Sequence, residues 1–137
     1  MPQKRLSCST PLILDTNVFS DGGFLNALES FHGEKKIPVI VYVEISIHFI
    51  NNKGKSMQWI DRRLHRLGIE VEWLHKNHAK NIISYAAKFP DVFKSKWRDF
   101  LIASHAYPPP RTLITYNKKD FWFMRRNGVY SPDEITF

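Results

Sequence analysis

The stretch Leu12-Ile13-Leu14-Asp15-Thr16-Asn17-Val18-Phe19 decides the fold of this 137-residue chain. Its apolar start, residues 11–14, is typical of a buried strand in a parallel sheet. Asp15 follows at once, so a carboxylate is predicted at the carboxyl end of that strand. Further on, apolar residues at helical spacing between Phe24 and Phe31 predict a helix, which Gly33 ends.

The same alternation of strand and helix continues along the chain. Strands are predicted at 69–74, 111–116 and within 128–136, and helices at 56–67, 77–89 and 97–107, before the prolines at 108–110. Periodicity between 37 and 50 fits either one long strand or a strand and a helix. We prefer a strand to about Val39, followed by a helix that carries Glu44 and His48. Residues 117–126 are expected to form a turn or a short helix.

Strands separated by helices imply crossover connections. The sequence therefore predicts one α/β domain over residues 1–137, a doubly wound parallel sheet with helices on both faces. In such sheets ligands bind outside the carboxyl ends of the strands. Residues that follow the predicted strands are therefore the first candidates for a functional site.

Composition excludes several classes of protein. Apolar residues make up 43% of the chain, enough for a core, and the one cysteine, Cys8, excludes an internal disulfide or a cluster of thiolates around a metal. No apolar run approaches about 18 residues without charge, so we expect neither a signal peptide nor contact with a membrane. A cytoplasmic location is the corresponding expectation.

The chain is basic, and the excess charge lies in its middle. The net charge is +7, and residues 51–100 contain eleven Lys or Arg against five Asp or Glu. A surface of this kind suits a polyanion, because bound phosphates release their counterions. A surface that only keeps the protein in solution is the alternative.

Four acids occur where their neighbours predict burial. Asp15 follows the first strand, Glu44 lies in an apolar stretch, Asp99 stands between two aromatic residues, and Asp120 precedes two more. Converging carboxylates repel one another, and the sequence suggests fewer cations than acids nearby, so a positive ion is required between them. Oxygen ligands select Mg²⁺ or Mn²⁺, ions that promote hydrolysis of phosphodiesters.

Four segments together resemble the PIN-domain family of ribonucleases, and within it the single-domain VapC-like toxins. They are residues 12–19, 37–44, 99–106 and 113–121, in the family's order. The resemblance implies a metal-dependent endoribonuclease in which Asp15, Glu44 and Asp99 hold Mg²⁺ or Mn²⁺. It also implies a homodimer that cuts RNA and that a cognate antitoxin holds inactive.

Further positions are assigned by the same resemblance. Asn17 and Thr115 match polar residues that orient water or a carboxylate. A fourth acidic or polar group of the family comes either two residues after the threonine or just before a phenylalanine. Those positions are Asn117 and Asp120 here, and the choice between them stays open. Basic residues that flank the acidic segments are predicted to bind the RNA backbone, namely Lys94, Lys96, Arg98, Lys118 and Lys119.

Simpler interpretations of the acids also exist. Asp15 can cap a helix, Glu44 can be a solvated helix residue, and Asp99 can pair with Arg98 or Lys96. His75 and His78 have metal-ligand spacing but no third ligand nearby in sequence, so we interpret them as ordinary histidines, and we assign His105 no catalytic role. The aromatic residues 121–123 are expected to pack in the core or an interface.

Two other functions remain open. A degenerate PIN-like domain would bind RNA or a protein without cleaving, and Asn117 in place of an acid favours it. A phosphatase of the haloacid dehalogenase type also has an apolar strand that ends in aspartate. That family requires a second acid at the position of Asn17, so we rank it last.

Overall fold

The computed structural model describes residues 3–106, 110–124 and 128–137. Twelve regular elements occur in this part of the chain, together with three 3-10 segments at Thr16–Ser20, Lys118–Met124 and Pro132–Glu134. In chain order the elements are β1 (Lys4–Arg5), β2 (Leu12–Leu14), α1 (Gly22–Leu28), β3 (Lys35–Pro38), α2 (Val39–Lys53), α3 (Met57–Leu67), β4 (Ile69–Glu72), α4 (Lys76–Lys88), α5 (Phe93–Ser104), β5 (Thr112–Ile114), β6 (Val129–Tyr130) and β7 (Ile135–Thr136).

Five strands form a parallel sheet in the order β4-β3-β2-β5-β6. The chain first moves from β2 toward one edge and then returns to build the other, so β2 and β5 flank a topological switch point. Because crossovers between parallel strands are right-handed, α1, α2 and α3 cover one face, and α4 and α5 cover the other. The predicted doubly wound fold is confirmed. β1 and β7 form a separate parallel pair.

The centre of the sheet is apolar on both faces. Leu12, Ile13 and Leu14 of β2 are fully buried, as are Leu113 and Ile114 of β5. This explains why the decisive stretch is a continuous apolar run and not an alternating one. The strand and helix predicted around residues 37–50 are also present, as β3 and α2.

Local signals set the bounds of α3. The Ser56 hydroxyl accepts a hydrogen bond from the backbone N–H of Trp59 at 3.1 Å and caps the first turn. Gly68 ends the helix with a φ of 71°, a left-handed conformation that favours glycine. These contacts confirm the helix predicted over residues 56–67.

Several predicted bounds were wrong. α5 begins at Phe93, not near Trp97, because none of the residues in its first turn is buried and this turn therefore lacks a clear apolar signal. β4 ends at Glu72, since Trp73 and Leu74 lie beyond the sheet. The last predicted strand is two short strands separated by a 3-10 turn. The predicted helix end at Tyr107 lies outside the described residues, as do Arg125 and Arg126.

Phe100 of α5 is expected to be a main source of stability. Its side chain is fully buried, and its ring centroid lies 4.6 Å from that of Phe123 and 6.0 Å from that of Tyr85. Phe100→Ala should lower the free energy of unfolding by about 3–5 kcal/mol, measured by urea denaturation. Trp97 lies on the same helix, but its side chain is 49% exposed. Trp97→Ala should therefore change the free energy of unfolding by less than about 1 kcal/mol. Equal losses of unfolding free energy in Phe100→Ala and Trp97→Ala would contradict the assignment of Phe100 as a main source of stability.

Candidate active site

The candidate site lies at the carboxyl edge of the sheet, on its switch point. Asp15 follows β2 and Thr115 follows β5, and these strands are paired so that Leu14 stands opposite Ile114. The Asp15 N–H donates to the Ile114 carbonyl at 3.0 Å, which fixes the position of the aspartate. α2 brings Glu44 from one face of the sheet, and α5 brings Asp99 from the other.

Asp15 is buried, with 2% of its surface exposed, and both of its carboxylate oxygens are hydrogen-bonded. Oδ1 accepts from the backbone N–H of Thr16 at 2.7 Å. Oδ2 accepts from the Thr115 hydroxyl at 2.8 Å and from the Asn17 amide at 3.4 Å. Asp15 therefore caps the following 3-10 segment and also faces the site, with Asn17 and Thr115 beside it.

Arg98 occupies the centre of the acidic cluster, the name used here for Asp15, Glu44 and Asp99. Its Nε and Nη2 donate to the two oxygens of Glu44, each at 2.7 Å. Nη2 also donates to Asp15 Oδ1 at 3.0 Å, and Nη1 donates to Asp99 Oδ1 at 3.2 Å. Sequence alone placed Arg98 among the RNA-binding residues, whereas the structure brings its guanidinium between all three acids. The acids outnumber this cation, as the sequence suggested, but a positive group of the chain itself already lies between them.

The cluster remains more negative than positive. Burial works to lower the pKa of Arg98, but hydrogen bonds and charges from Glu44 and Asp15 raise it above its ordinary value. Burial works to raise the pKa of Glu44, and the hydrogen bonds from Arg98 and Thr16 outweigh that effect and lower it. The pKa of Asp99 is raised, mainly by burial. One guanidinium thus serves three acids, and Asp99 is the least well compensated.

Asp120 approaches the cluster through a lysine. Lys96 Nζ lies 3.3 Å from Asp120 Oδ1 and 3.9 Å from Asp99 Oδ2. The Asp120 charge also works to raise the pKa of Asp99. Asn117 has an exposed side chain, and its backbone N–H donates to the Thr115 hydroxyl at 3.0 Å.

The other predicted RNA-binding residues differ in their surroundings. Lys118 forms an ion pair with Glu134, with Nζ 2.8 Å from Oε1. Lys94 and Lys119 are exposed and form no ion pair within the described part of the chain. These two lysines are the ones whose charges remain available to a phosphate.

A second polar cluster, missed by sequence reasoning, surrounds Glu72 at the end of β4. Glu72 Oε1 lies 2.7 Å from His105 Nδ1, 3.2 Å from His78 Nε2 and 2.6 Å from Arg111 Nη1. Nδ1 of His78 accepts from the backbone N–H of His75 at 2.9 Å, so the neutral ring carries its proton on Nε2 and donates to Glu72. We call these residues other than His75 the Glu72 network.

Within the described residues, Glu72, His78 and His105 are a trio whose potential metal-binding atoms all lie within 4.8 Å of one another. Two observations favour an ion-pair network over a metal site. Arg111 already donates to Glu72 Oε1, the oxygen that an ion would use, and the His105 Nδ1 and His78 Nε2 atoms that could bind an ion both lie within hydrogen-bond distance of that same oxygen. The sequence offered only the spacing of His75 and His78 as a signal.

Comparison with known proteins identifies the family. Residues 12–122 match the PIN domain. The chain belongs to the PIN domain family. It is also 29% identical over 115 residues to a Synechocystis protein named anaerobic magnesium-protoporphyrin IX monomethyl ester cyclase. The match covers 80% of this chain but only 23% of that protein, so the activity in its name does not carry over.

Three solved structures from bacteria illustrate the similarity in fold. A toxin-antitoxin complex from Klebsiella pneumoniae has a TM-score of 0.66 at 24% identity, covering 90% of this chain and 99% of that one. VapBC-1 from nontypeable Haemophilus influenzae has a TM-score of 0.60 at 20% identity, and DNA-bound VapBC from Salmonella typhimurium has 0.57 at 19%. Each of the last two matches covers 90% of this chain and 98% of the other. These likenesses support the fold.

The Glu72 network should make stability depend on pH. Burial lowers the pKa of His105 from 6.5 to about 4, and burial also lowers that of His78. Between pH 6.5 and about 4 the unfolded chain therefore binds protons that the folded chain does not, so stability falls as the pH falls. The slope is up to about 1.4 kcal/mol per pH unit for each such histidine.

His105→Asn is the variant that tests this dependence, because an amide keeps a donor for Glu72 and cannot titrate. Urea denaturation at several pH values should give a smaller slope for His105→Asn than for the parent protein. His32→Asn, which changes an exposed histidine, should keep the parent slope. The interpretation fails if His105→Asn and the parent lose stability equally steeply between pH 6.5 and 4.

Proposed function

We propose that this protein is a divalent-metal-dependent endoribonuclease and the toxin of a toxin-antitoxin pair. The observation that carries the proposal is the meeting of Asp15, Glu44 and Asp99 at the switch point of the sheet. Three separate elements bring these acids together around one positive group. Ligands of doubly wound sheets bind at this place, and the chain belongs to the PIN domain family.

The residues of the acidic cluster fit Mg²⁺ or Mn²⁺. All the donors are oxygens, which these ions prefer over nitrogen and sulfur. The guanidinium of Arg98 acts as a stand-in cation, because it donates hydrogen bonds to all three carboxylates. A divalent ion in this position would polarise a phosphodiester oxygen and make water more acidic. Asn17 and Thr115 would hold the buried carboxylate of Asp15 in a fixed orientation through the hydrogen bonds described above.

RNA is the proposed substrate, and the basic surface of the chain is what supports it. Lys94 precedes the cluster on α5, and Lys119 follows β5, so both lie in elements that contribute to the edge of the site. Lysines in these positions would attract and position the phosphate backbone of a single strand. Lys96 and Lys118 are engaged in ion pairs and would contribute less directly.

An antitoxin and a second copy of the chain are the proposed protein partners. One solved structure of similar fold is described as a toxin-antitoxin complex, and another is described as VapBC-1. On α2, Val43, Ile47 and Ile50 are exposed large apolar side chains at helical spacing, and a partner protein would cover them. No helix in the described part of the chain is long and apolar enough to cross a membrane. A cytoplasmic location remains our proposal.

A degenerate module that binds RNA without cleaving is the second candidate. Two observations favour it: Asn117 replaces an acid of the family pattern, and Arg98 occupies the centre of the acidic cluster. The two candidates differ in one measurable property, which is cleavage of RNA in the presence of Mg²⁺ or Mn²⁺.

Asp15→Asn tests the nuclease directly. Purified parent protein should cleave RNA only with Mg²⁺ or Mn²⁺, and EDTA should stop cleavage while circular dichroism reports an intact fold. Loss of supporting residues around a metal weakens activity 10–100-fold, so loss of a ligand should weaken cleavage at least about 100-fold. Because Asp15 pairs with Arg98, the variant should not become more heat-stable.

Asp91→Asn is the matched control, because it makes the same change at an exposed acid, and it should cleave like the parent. Undiminished cleavage by folded Asp15→Asn would remove Asp15 from the site. RNA binding by the parent without cleavage, across several classes of RNA, would favour the degenerate module. Cleavage gained in Asn117→Asp would then identify Asn117 as the missing acid.

Lys94 and Lys119 should contribute to affinity through phosphate contacts. Their joint replacement by Gln, in the inactive Asp15→Asn background, should weaken binding of RNA regardless of sequence. The slope of log K against log salt should flatten by about 0.7 for each lost contact with a single strand. Lys80→Gln with Lys88→Gln removes the same charge from exposed positions on α4 and should leave the slope steeper. Equal slopes of log K against log salt in the two double variants would mean that Lys94 and Lys119 do not contact RNA phosphates.

A further inference from the structure

We propose that Arg98 is an internal cation that competes with the divalent ion for the acidic cluster, so that the site loads its metal only after the guanidinium leaves. This inference rests on the metal site proposed above and concerns its regulation. It assigns Arg98 a role different from that of the lysines around the site, since Arg98 would oppose metal binding in the resting protein.

The competition follows from the atoms that are shared. Arg98 occupies both oxygens of Glu44, Oδ1 of Asp15 and Oδ1 of Asp99 through four hydrogen bonds. A divalent ion needs oxygens from the same carboxylates. Among the described residues, the three groups whose ligand atoms all lie within 4.8 Å of one another are Glu72, His78 and His105, and not the acids around Arg98. The carboxylates of the acidic cluster are therefore spaced more widely around the guanidinium than they would be around a single ion.

Charge favours the exchange once an ion is present. A guanidinium supplies one positive charge to three carboxylates, whereas a divalent ion supplies two from a smaller volume. Asp99 gains most, because its single bond from Arg98 is the longest of the four, at 3.2 Å. Lys96, whose Nζ lies 3.9 Å from Asp99, can stay where it is.

Arg98 is also placed so that it can leave. Its side chain is 32% exposed, unlike that of Asp15, which is 2% exposed. The flexible side chain can turn toward solvent without opening the core. Outside the cluster, the guanidinium would lie on the same helix as Lys94, where RNA phosphates are proposed to bind, and arginine binds phosphate through two parallel hydrogen bonds. An RNA phosphate would therefore offer Arg98 an alternative partner as the ion enters.

Calorimetric titration with Mn²⁺ alone, in the full-length chain, tests the proposal without measuring cleavage. Arg98→Gln should bind Mn²⁺ at least about tenfold more tightly than the parent, which corresponds to about 1.4 kcal/mol. Arg98→Lys keeps a charge but loses the bidentate contact, so its affinity should lie between the two. Arg66→Gln removes the same charge from an exposed position on α3 and should bind Mn²⁺ like the parent.

Thermal denaturation gives a second readout. In EDTA, Arg98→Gln should melt below the parent, because three carboxylates lose their counter-ion. Saturating Mn²⁺ should raise its melting temperature by more than it raises that of the parent. A larger rise in the parent than in folded Arg98→Gln would mean that Arg98 assists the ion, and would overturn the proposal.

The test separates this inference from the proposed function. If folded Arg98→Gln and the parent bind Mn²⁺ equally, and Asp15→Asn abolishes binding in both, the competition is excluded while the metal site stands. If neither protein binds Mn²⁺ at any accessible concentration, both the competition and the metal-dependent nuclease are excluded.

Discussion

The burial of the Asp15 carboxylate is the constraint on which the rest of the site depends. A carboxylate removed from water is stable only when donors and positive charge replace the water. The chain supplies them from three directions: the Thr16 N–H along the backbone, the Thr115 hydroxyl from the neighbouring strand, and Arg98 from α5. Each donor also fixes the element that carries it, so compensation of one charge orders the carboxyl edge of the sheet.

The sheet makes this burial possible. β2 and β5 are apolar on both faces, and helices cover them, so the first polar positions after each strand fall at the same level beside the switch point. Thr115 meets Asp15 for this reason and not through any local sequence preference. α2 and α5 approach from opposite faces and deliver Glu44 and Asp99, which is why acids 84 positions apart in the chain, from Asp15 to Asp99, contact one guanidinium.

Sequence reasoning succeeded where the signal was local and failed where it was not. Apolar runs predicted the strands, and the position of Asp15 after the first run predicted where it lies. The orientation of Arg98 could not be derived, because adjacent residues on a helix point about 100° apart, and only the long side chain brings the guanidinium back toward Asp99. The Glu72 network could not be predicted either, because His105 and Arg111 lie 33 and 39 positions from Glu72 in the chain and form no periodic pattern with it.

The Glu72 network and the acidic cluster each contain an arginine, but they differ in how completely their negative charge is compensated. Around Glu72, one carboxylate faces the Arg111 guanidinium, the Lys36 ammonium at 3.8 Å and two imidazoles, so its negative charge is fully compensated. Around Arg98, three carboxylates share one guanidinium that solvent can reach. A fully compensated and enclosed carboxylate gains nothing from an incoming cation, whereas an undercompensated and accessible cluster of carboxylates does. The excess of negative charge at the acidic cluster is therefore the property that makes its arginine replaceable.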